Sequence, residues 1–225
     1  MNKITGLPVA QEGLYIVFAF LGAASLALFL HKYMIFIFFS CLAILVSLFF
    51  RNPKRKIDPR RDSILAPADG KVVAIETVYE PRFVRKNMQK ISIFMSLFNV
   101  HMNRFPVSAT IKDQKHRNGT FKFANRDKAS LDNEQNALLL ETLGNNQIVV
   151  VQIAGWIARR IVCYTQTGDH LKAGDIFGLI KFGSRVDLYV PVDSNIRVKI
   201  GDSVRAGKTI VGVLDEIPKT GTLQG

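Results

Sequence analysis

Thr167-Gly168-Asp169-His170-Leu171-Lys172-Ala173-Gly174-Asp175 and Ile200-Gly201-Asp202-Ser203-Val204-Arg205-Ala206-Gly207-Lys208 are two versions of one phrase. Each places Gly-Asp three residues before an Ala-Gly pair, so the chain carries an internal echo built on glycine turns. Around these turns lie short runs rich in Val and Ile, bounded by Gly, Pro, Asp or Asn. They are Lys71 to Val78, Lys90 to Ser96, Gln147 to Ala154, Ile157 to Tyr164, Val186 to Val190, Ile196 to Ile200 and Thr209 to Leu214. Such spacing predicts a mainly β sandwich or barrel from Ser63 onward, with an irregular polar insertion from about Lys112 to Asn136.

Upstream the composition changes. Leu14 to Leu30 and Met34 to Phe50 are apolar runs of 17 residues each, separated by His31-Lys32-Tyr33. Each is at the short end of the ~17–25 residues that span a bilayer, so residues 1–50 read as a membrane-associated helical hairpin, spanning or re-entrant. A cleaved signal peptide would end in small residues, whereas the second run ends in Leu48-Phe49-Phe50. Arg51, Lys54, Arg55, Lys56, Arg60 and Arg61 follow at once, making 51–62 a basic juxtamembrane linker. The positive-inside rule then puts the domain 63–225 on the cytoplasmic face of the cell membrane. The formal charge of +12 suits anionic lipid or nucleic acid; the membrane-proximal cluster favours lipid, and no nucleic-acid motif is present. Cys41 and Cys163 form no disulfide framework, and no Cys/His spacing suits a metal.

Between two hydrophobic runs stands Lys181-Phe182-Gly183-Ser184-Arg185. A serine hydroxyl can attack the preceding carbonyl, and glycine there hinders least and bends most freely. The resulting ester can eliminate to dehydroalanine and hydrolyse to a pyruvoyl group. By itself, though, a Gly-Ser pair reads equally as a hairpin turn.

The repeated phrase resembles the turns of biotinyl and lipoyl carrier domains, flattened β sandwiches with two quasi-equivalent halves. In those carriers a lysine eight residues before a proline bears the cofactor. Eight residues before Pro191 lies Gly183, beside Ser184, while Lys181 is displaced by two.

Three further segments carry a more specific resemblance: Ala66-Pro67-Ala68-Asp69-Gly70-Lys71-Val72, Phe98-Asn99-Val100-His101-Met102-Asn103-Arg104-Phe105-Pro106 and Phe182-Gly183-Ser184-Arg185-Val186-Asp187. With the N-terminal hairpin, Gln152-Ile153-Ala154-Gly155 and Asp127-Lys128-Ala129-Ser130, they closely resemble the short form of phosphatidylserine decarboxylase, along essentially the whole chain. That family is a self-processing, pyruvoyl-dependent lyase of phospholipid biosynthesis. The resemblance implies cleavage between Gly183 and Ser184 into a β chain (1–183) and an α chain (184–225) that stay together as a heterodimer, with further oligomerisation open. It assigns Ser184, His101 and Asp69 to the cleavage, with His101 as base and Asp69 as its orienting acid. Ser184 would become the pyruvoyl cofactor, an electron sink for decarboxylation of phosphatidylserine to phosphatidylethanolamine plus CO2.

Long-form members have a second histidine three residues before the one matching His101; here Phe98 stands there. The proton donor to the product carbanion is thus open among His101, His116, Asn99 and water. Arg159 and Arg160 are candidates for the lipid phosphate, one at most reaching it from a strand. The alternatives are a membrane-anchored carrier modified on Lys181 and a structural adaptor.

Overall fold

The computed structural model describes residues 8–57, 62–119, 133–155, 160–181 and 184–214. The two apolar runs form α1 (Gln11–Phe29) and α2 (Tyr33–Phe49), joined by a tight turn in which His31 takes a positive φ of 54°. Most of their large apolar side chains are exposed, Phe18, Phe29, Met34 and Phe38 among them. A helix apolar all round and unburied is suited to lipid, and α1 is long and apolar enough to cross a membrane.

Among the described residues fourteen strands follow: β1 (Ser63–Leu65), β2 (Gly70–Glu80), β3 (Lys86–Met95), β4 (Met102–Arg104), β5 (Ala109–Arg117), β6 (Gln135–Glu141), β7 (Gln147–Ala154), β8 (Ile161–Cys163), β9 (His170–Leu171), β10 (Ile176–Ile180), β11 (Ser184–Val190), β12 (Asn195–Ile196), β13 (Ser203–Val204) and β14 (Ile210–Val213). One large sheet has the order β13-β2-β3-β11-β7-β6-β5-β9, and two small ones have the orders β1-β14-β12 and β4-β10-β8. The chain is mainly β, as its turn spacing predicts. The main core holds Phe105, Phe177, Ile91, Ile93, Val186 and Leu188. The other face of the large sheet is also buried, around Met88, Val149, Val151 and Tyr189.

Two expected boundaries are corrected. The polar segment starting at Lys112 is not irregular throughout, because β5 continues to Arg117 and β6 begins at Gln135, their pairing running from Thr110↔Glu141 to Arg117↔Gln135. Polar residues persist there because one face of β5 is open to water. The run Ile196 to Ile200 is a strand only at its start, since Ile200 is exposed and leads into the Gly201 turn.

The sequence echo is a structural one. Gly168 and Gly201 both have positive φ, 94° and 98°, a region glycine enters without a Cβ clash. Gly168 N–H donates to Ile111 O and Gly201 N–H to Val72 O, each at 2.8 Å, and Ile111 and Val72 return bonds to Asp169 O and Asp202 O. The partners of these turns are equivalent as well. Leu65 N–H donates to Pro106 O and Arg104 N–H to Pro67 O, so the segments 65–72 and 104–111 exchange reciprocal bonds.

The base of the hairpin is docked on the β domain rather than tethered to it. Ala10, Phe49 and Phe50 pack with Val100, Met102 and Leu179, and Tyr164 donates its hydroxyl hydrogen to Glu12 Oε2 at 2.8 Å. The linker is pinned too: Arg104 donates to Gly174 O at 2.9 Å and to Asn52 Oδ1 and Pro53 O at 3.3 Å.

Candidate functional site

Ser184 opens β11, the fourth strand of the large sheet, flanked by Met95 of β3 and Ala154 of β7. It is fully buried, and its hydroxyl donates to Met95 Sδ at 3.3 Å. A thioether is a weak acceptor, so this hydroxyl is held without being strongly committed. Gly183 and Phe182 lie outside the described residues, as do Arg159 and Trp156.

His101 reaches the same end of the sheet by two routes. It follows Met95 by six residues through the 96–100 turn, where Ser96 N–H and Oγ both donate to Asn99 Oδ1. It also precedes β4, whose partner β10 runs toward Ser184, and its carbonyl accepts the N–H of Ile180 at 3.4 Å. The imidazole is 2% exposed and, among the described residues, no side chain hydrogen-bonds to either ring nitrogen. Phe49, the last residue of α2, lies against it with ring centroids 4.2 Å apart. Burial pushes the imidazole down from its ordinary 6.5 to about 4; the nearby Asn99 backbone opposes this, the Arg51 charge adds to it, and Asp69 opposes it. His101 is therefore neutral near pH 7.

Asp69 sits in the turn before β2. Arg55 donates to both its oxygens, at 2.6 and 2.7 Å, and Ala206 N–H donates to Oδ1 at 2.7 Å. The expected acid is thus held by the linker and a turn. Among the described residues, no hydrogen bond joins Asp69 to His101 or His101 to Ser184. Asp69 acts on the imidazole through space, raising its pKa.

Of the remaining candidates, Arg160 is exposed, and its carbonyl accepts Lys181 N–H at 3.2 Å, which puts it beside the strand leading to Gly183. His116 is exposed on β5 and sits 3.4 Å from Glu134. Glu134 and Asn133 in turn clamp Ala154, the register partner of Ser184, through Ala154 N–H to Glu134 O at 3.0 Å and Asn133 Nδ2 to Ala154 O at 2.8 Å. Phe98 points away from His101's buried pocket in the plainest sense: it is 85% exposed, with Leu97 beside it also exposed. Arg51 ties this turn to the hairpin, donating to Leu48 O and Phe98 O, each at 2.6 Å.

Sequence reasoning grouped Arg51 and Arg55 with the lipid-facing cluster, whereas Arg55 turns inward to Asp69 and Arg51 binds the Leu48 and Phe98 carbonyls; Lys54 and Lys56 remain exposed. It also missed Phe49 and Met95. No local pattern marks either one, because each acquires its place from pairing distant in the chain.

Comparison with known proteins agrees with the geometry. The sequence model for phosphatidylserine decarboxylase matches residues 42–212. Among curated proteins, the phosphatidylserine decarboxylase proenzyme of Geotalea daltonii is 43% identical over 207 residues, covering 92% of this chain and 97% of its own length. That of Syntrophotalea carbinolica is 45% identical over 216 residues, covering 92% and 97%. The Paraburkholderia xenovorans protein of the same name is 47% identical over 176 residues, covering 78% and 82%.

Proposed function

Because this chain belongs to the phosphatidylserine decarboxylase family, and so removes the carboxyl group of phosphatidylserine, we propose that it makes its own catalytic group by cutting itself between Gly183 and Ser184. The observation that carries this reading is the buried Ser184 hydroxyl, resting on a thioether at the sheet end where the neutral His101 ring is also buried.

His101 takes the proton from Ser184 Oγ as that oxygen attacks the carbonyl carbon of Gly183. A C–O bond forms, the Gly183–Ser184 C–N bond breaks, and the proton passes to the nitrogen of residue 184. Removal of the Cα proton then breaks the Cβ–Oγ bond and releases the Gly183 carboxylate. Water replaces nitrogen at residue 184, releasing ammonia and leaving a pyruvoyl terminus. The surroundings fit such a small ketone: residue 184 is enclosed, its hydroxyl rests on a soft sulfur, and the core beside it is apolar. When present, the pyruvoyl group supplies an electron sink for the pair left by departing CO2. His101 is then the chain's proton carrier at that carbon, and the exposed Arg160, whose carbonyl accepts Lys181 N–H, the cation for the lipid phosphate.

In this reading residues 1–50 anchor the chain, 51–62 link it, and 63–225 carry the chemistry on the cytoplasmic side. The products 1–183 and 184–225 remain a heterodimer, since β11 lies between β3 and β7. The exposed Leu97-Phe98 turn, tied by Arg51 to the end of α2, supports a site that opens toward the bilayer.

The test is the intact mass of the purified chain under denaturing conditions, beside Ser184→Ala, with and without borohydride and an amine. Two fragments meeting at 183/184, the smaller one lighter than a serine-initiated chain and trappable as an amine adduct, support the proposal. A single unmodified chain after membrane reconstitution overturns it, and added mass on Lys181 would favour a carrier.

A further inference from the structure

Among the described residues four carboxamides are wholly buried, Asn133 beside Ala154 and three that line up through the sandwich: Asn103, Asn136 and Gln152. Burying a primary amide costs free energy unless its donors and acceptor are met. Here they are met in a single direction. Gln114 Nε2 donates to Asn136 Oδ1 at 2.9 Å, Asn136 Nδ2 to Gln152 Oε1 at 2.9 Å, and Gln152 Nε2 to Asn103 Oδ1 at 2.8 Å. Asn103 Nδ2 ends the row on Met95 Sδ at 3.7 Å, the sulfur that also receives the Ser184 hydroxyl.

The topology makes this arrangement possible. Asn136 and Gln152 are direct cross-strand partners, and Gln152 pairs with Val186, two residues into the strand that Ser184 begins. From there Gln152 crosses the core to Asn103 on β4. Room for it is left by Gly178, where a Cβ would lie 3.1 Å from Gln152 Nε2 and 2.3 Å from Val162 O.

Four amides aligned head to tail reinforce one another, since each donor is polarised by the bond its own oxygen accepts. Their N–H pole faces residue 184. The last donor is met only by a weakly accepting thioether, so its capacity for a charged oxygen is largely unused. We infer that the Gln114–Asn136–Gln152–Asn103 row is a positioning device for self-cleavage, holding the Asn103 N–H toward the oxygen that gains negative charge as Ser184 gives up its proton. This rests on the reading of Ser184 as the nucleophile. It adds that the fixed sense of the row sets the rate at which the chain processes itself.

The experiment follows cleavage of the full chain, synthesised in the presence of phospholipid vesicles, for wild type, Gln152→Glu and Gln152→Met. Thermal unfolding is measured on the same variants carrying Ser184→Ala. A carboxylate at 152 accepts from both neighbours, which turns the Asn103 N–H away from Met95 while keeping the bonds. Methionine breaks the row and leaves two amides unmet. The expected result is an inversion: Gln152→Glu is the more stable of the two but the slower to cleave, by about tenfold or more, against the ~100-fold or greater loss typical of a direct oxyanion donor. Cleavage rates that rank with stability, or a folded Gln152→Glu that cleaves at the wild-type rate, overturn the inference. If Gln152→Glu fails to fold, Asn103→Asp against Asn103→Leu makes the same comparison, since Asp keeps the bond from Gln152 and loses only the terminal donor. An uncut wild-type chain would instead overturn the reading of Ser184 itself.

Discussion

Arg55 grips Asp69 through both carboxylate oxygens, so the segment joining the membrane hairpin to the β domain holds the acid expected to serve His101. The side chains are 7% and 11% exposed. The linker and the Asp69 turn are therefore joined by a buried ion pair, and displacement of the linker would change the field at the imidazole.

Removing Arg55 strands a buried carboxylate. Arg55→Met in the uncut Ser184→Ala chain should lower unfolding free energy by about 3–5 kcal/mol, the usual cost of breaking a buried pair from one side. Arg55→Met with Asp69→Asn should recover most of it, because no charge is left uncompensated. Denaturant titrations in detergent check both, and a single variant as stable as wild type would show the pair to be dispensable.

His101 gives a pH signature. Its folded pKa of about 4 lies below the ordinary 6.5, so between those values the unfolded chain holds a proton that the folded chain does not. Stability from this group is complete above about pH 6.5 and declines as pH falls toward 4. The base likewise stays unprotonated over that interval. Self-cleavage should hold its rate well below pH 6.5 and fail only near pH 4. Phe49→Ala, which admits water to the ring, should move that acid limb upward, and Arg51→Gln should move it the same way by removing a repelling charge. Cleavage rate against pH is the measurement.

Two glycines should behave oppositely. Alanine at Gly178 would put Cβ 2.3 Å from Val162 O, backbone that cannot retreat, and this variant should not accumulate as folded protein. At Gly168 the space is open and only the φ of 94° opposes a side chain, so Gly168→Ala should cost roughly 1–2 kcal/mol and still cleave. Soluble yield and fragment analysis after detergent extraction distinguish them.

Tyr164→Phe removes the bond to Glu12 that fastens α1 to the β domain. Burial and the neighbouring Glu12 raise the phenol's pKa, so it stays a donor at any working pH. The loss should be roughly 1.5–3 kcal/mol, as for a hydrogen bond to a charged group. Faster hydrogen exchange at residues 8–14, with the β domain unchanged, is the expected reading.

Much of this architecture was legible in the chain. The Gly-Asp and Ala-Gly phrases marked both turns of the echo, and the apolar runs gave both helices to within a few residues. Short strands such as β4, β9 and β13 were not legible, because two or three residues carry no period and form only when a distant edge is available. Ser184, His101 and Asp69 could be singled out by chemistry and resemblance, but their partners could not. Nothing about Arg55 distinguishes it from Lys54 or Lys56 until the linker is laid against the Asp69 turn. The polar Gln152 stands in a Val-rich strand, and the crossing to Asn103 gives it its partner.

The near-repetition of the fold also provides a natural reference for its chemistry. Asp69 and Ser108 hold equivalent places: Asp69 Oδ1 accepts Ala206 N–H at 2.7 Å, and Ser108 Oγ accepts Ala173 N–H at 3.0 Å. In one half of the molecule this position merely closes a turn, and a hydroxyl suffices. In the other half the same anchor point carries a second oxygen and a charge, so that Arg55 grips both oxygens and the charge is felt at the His101 imidazole. The two halves thus differ at this position by one oxygen and one charge, and the near-symmetry of the β fold is broken where the linker docks.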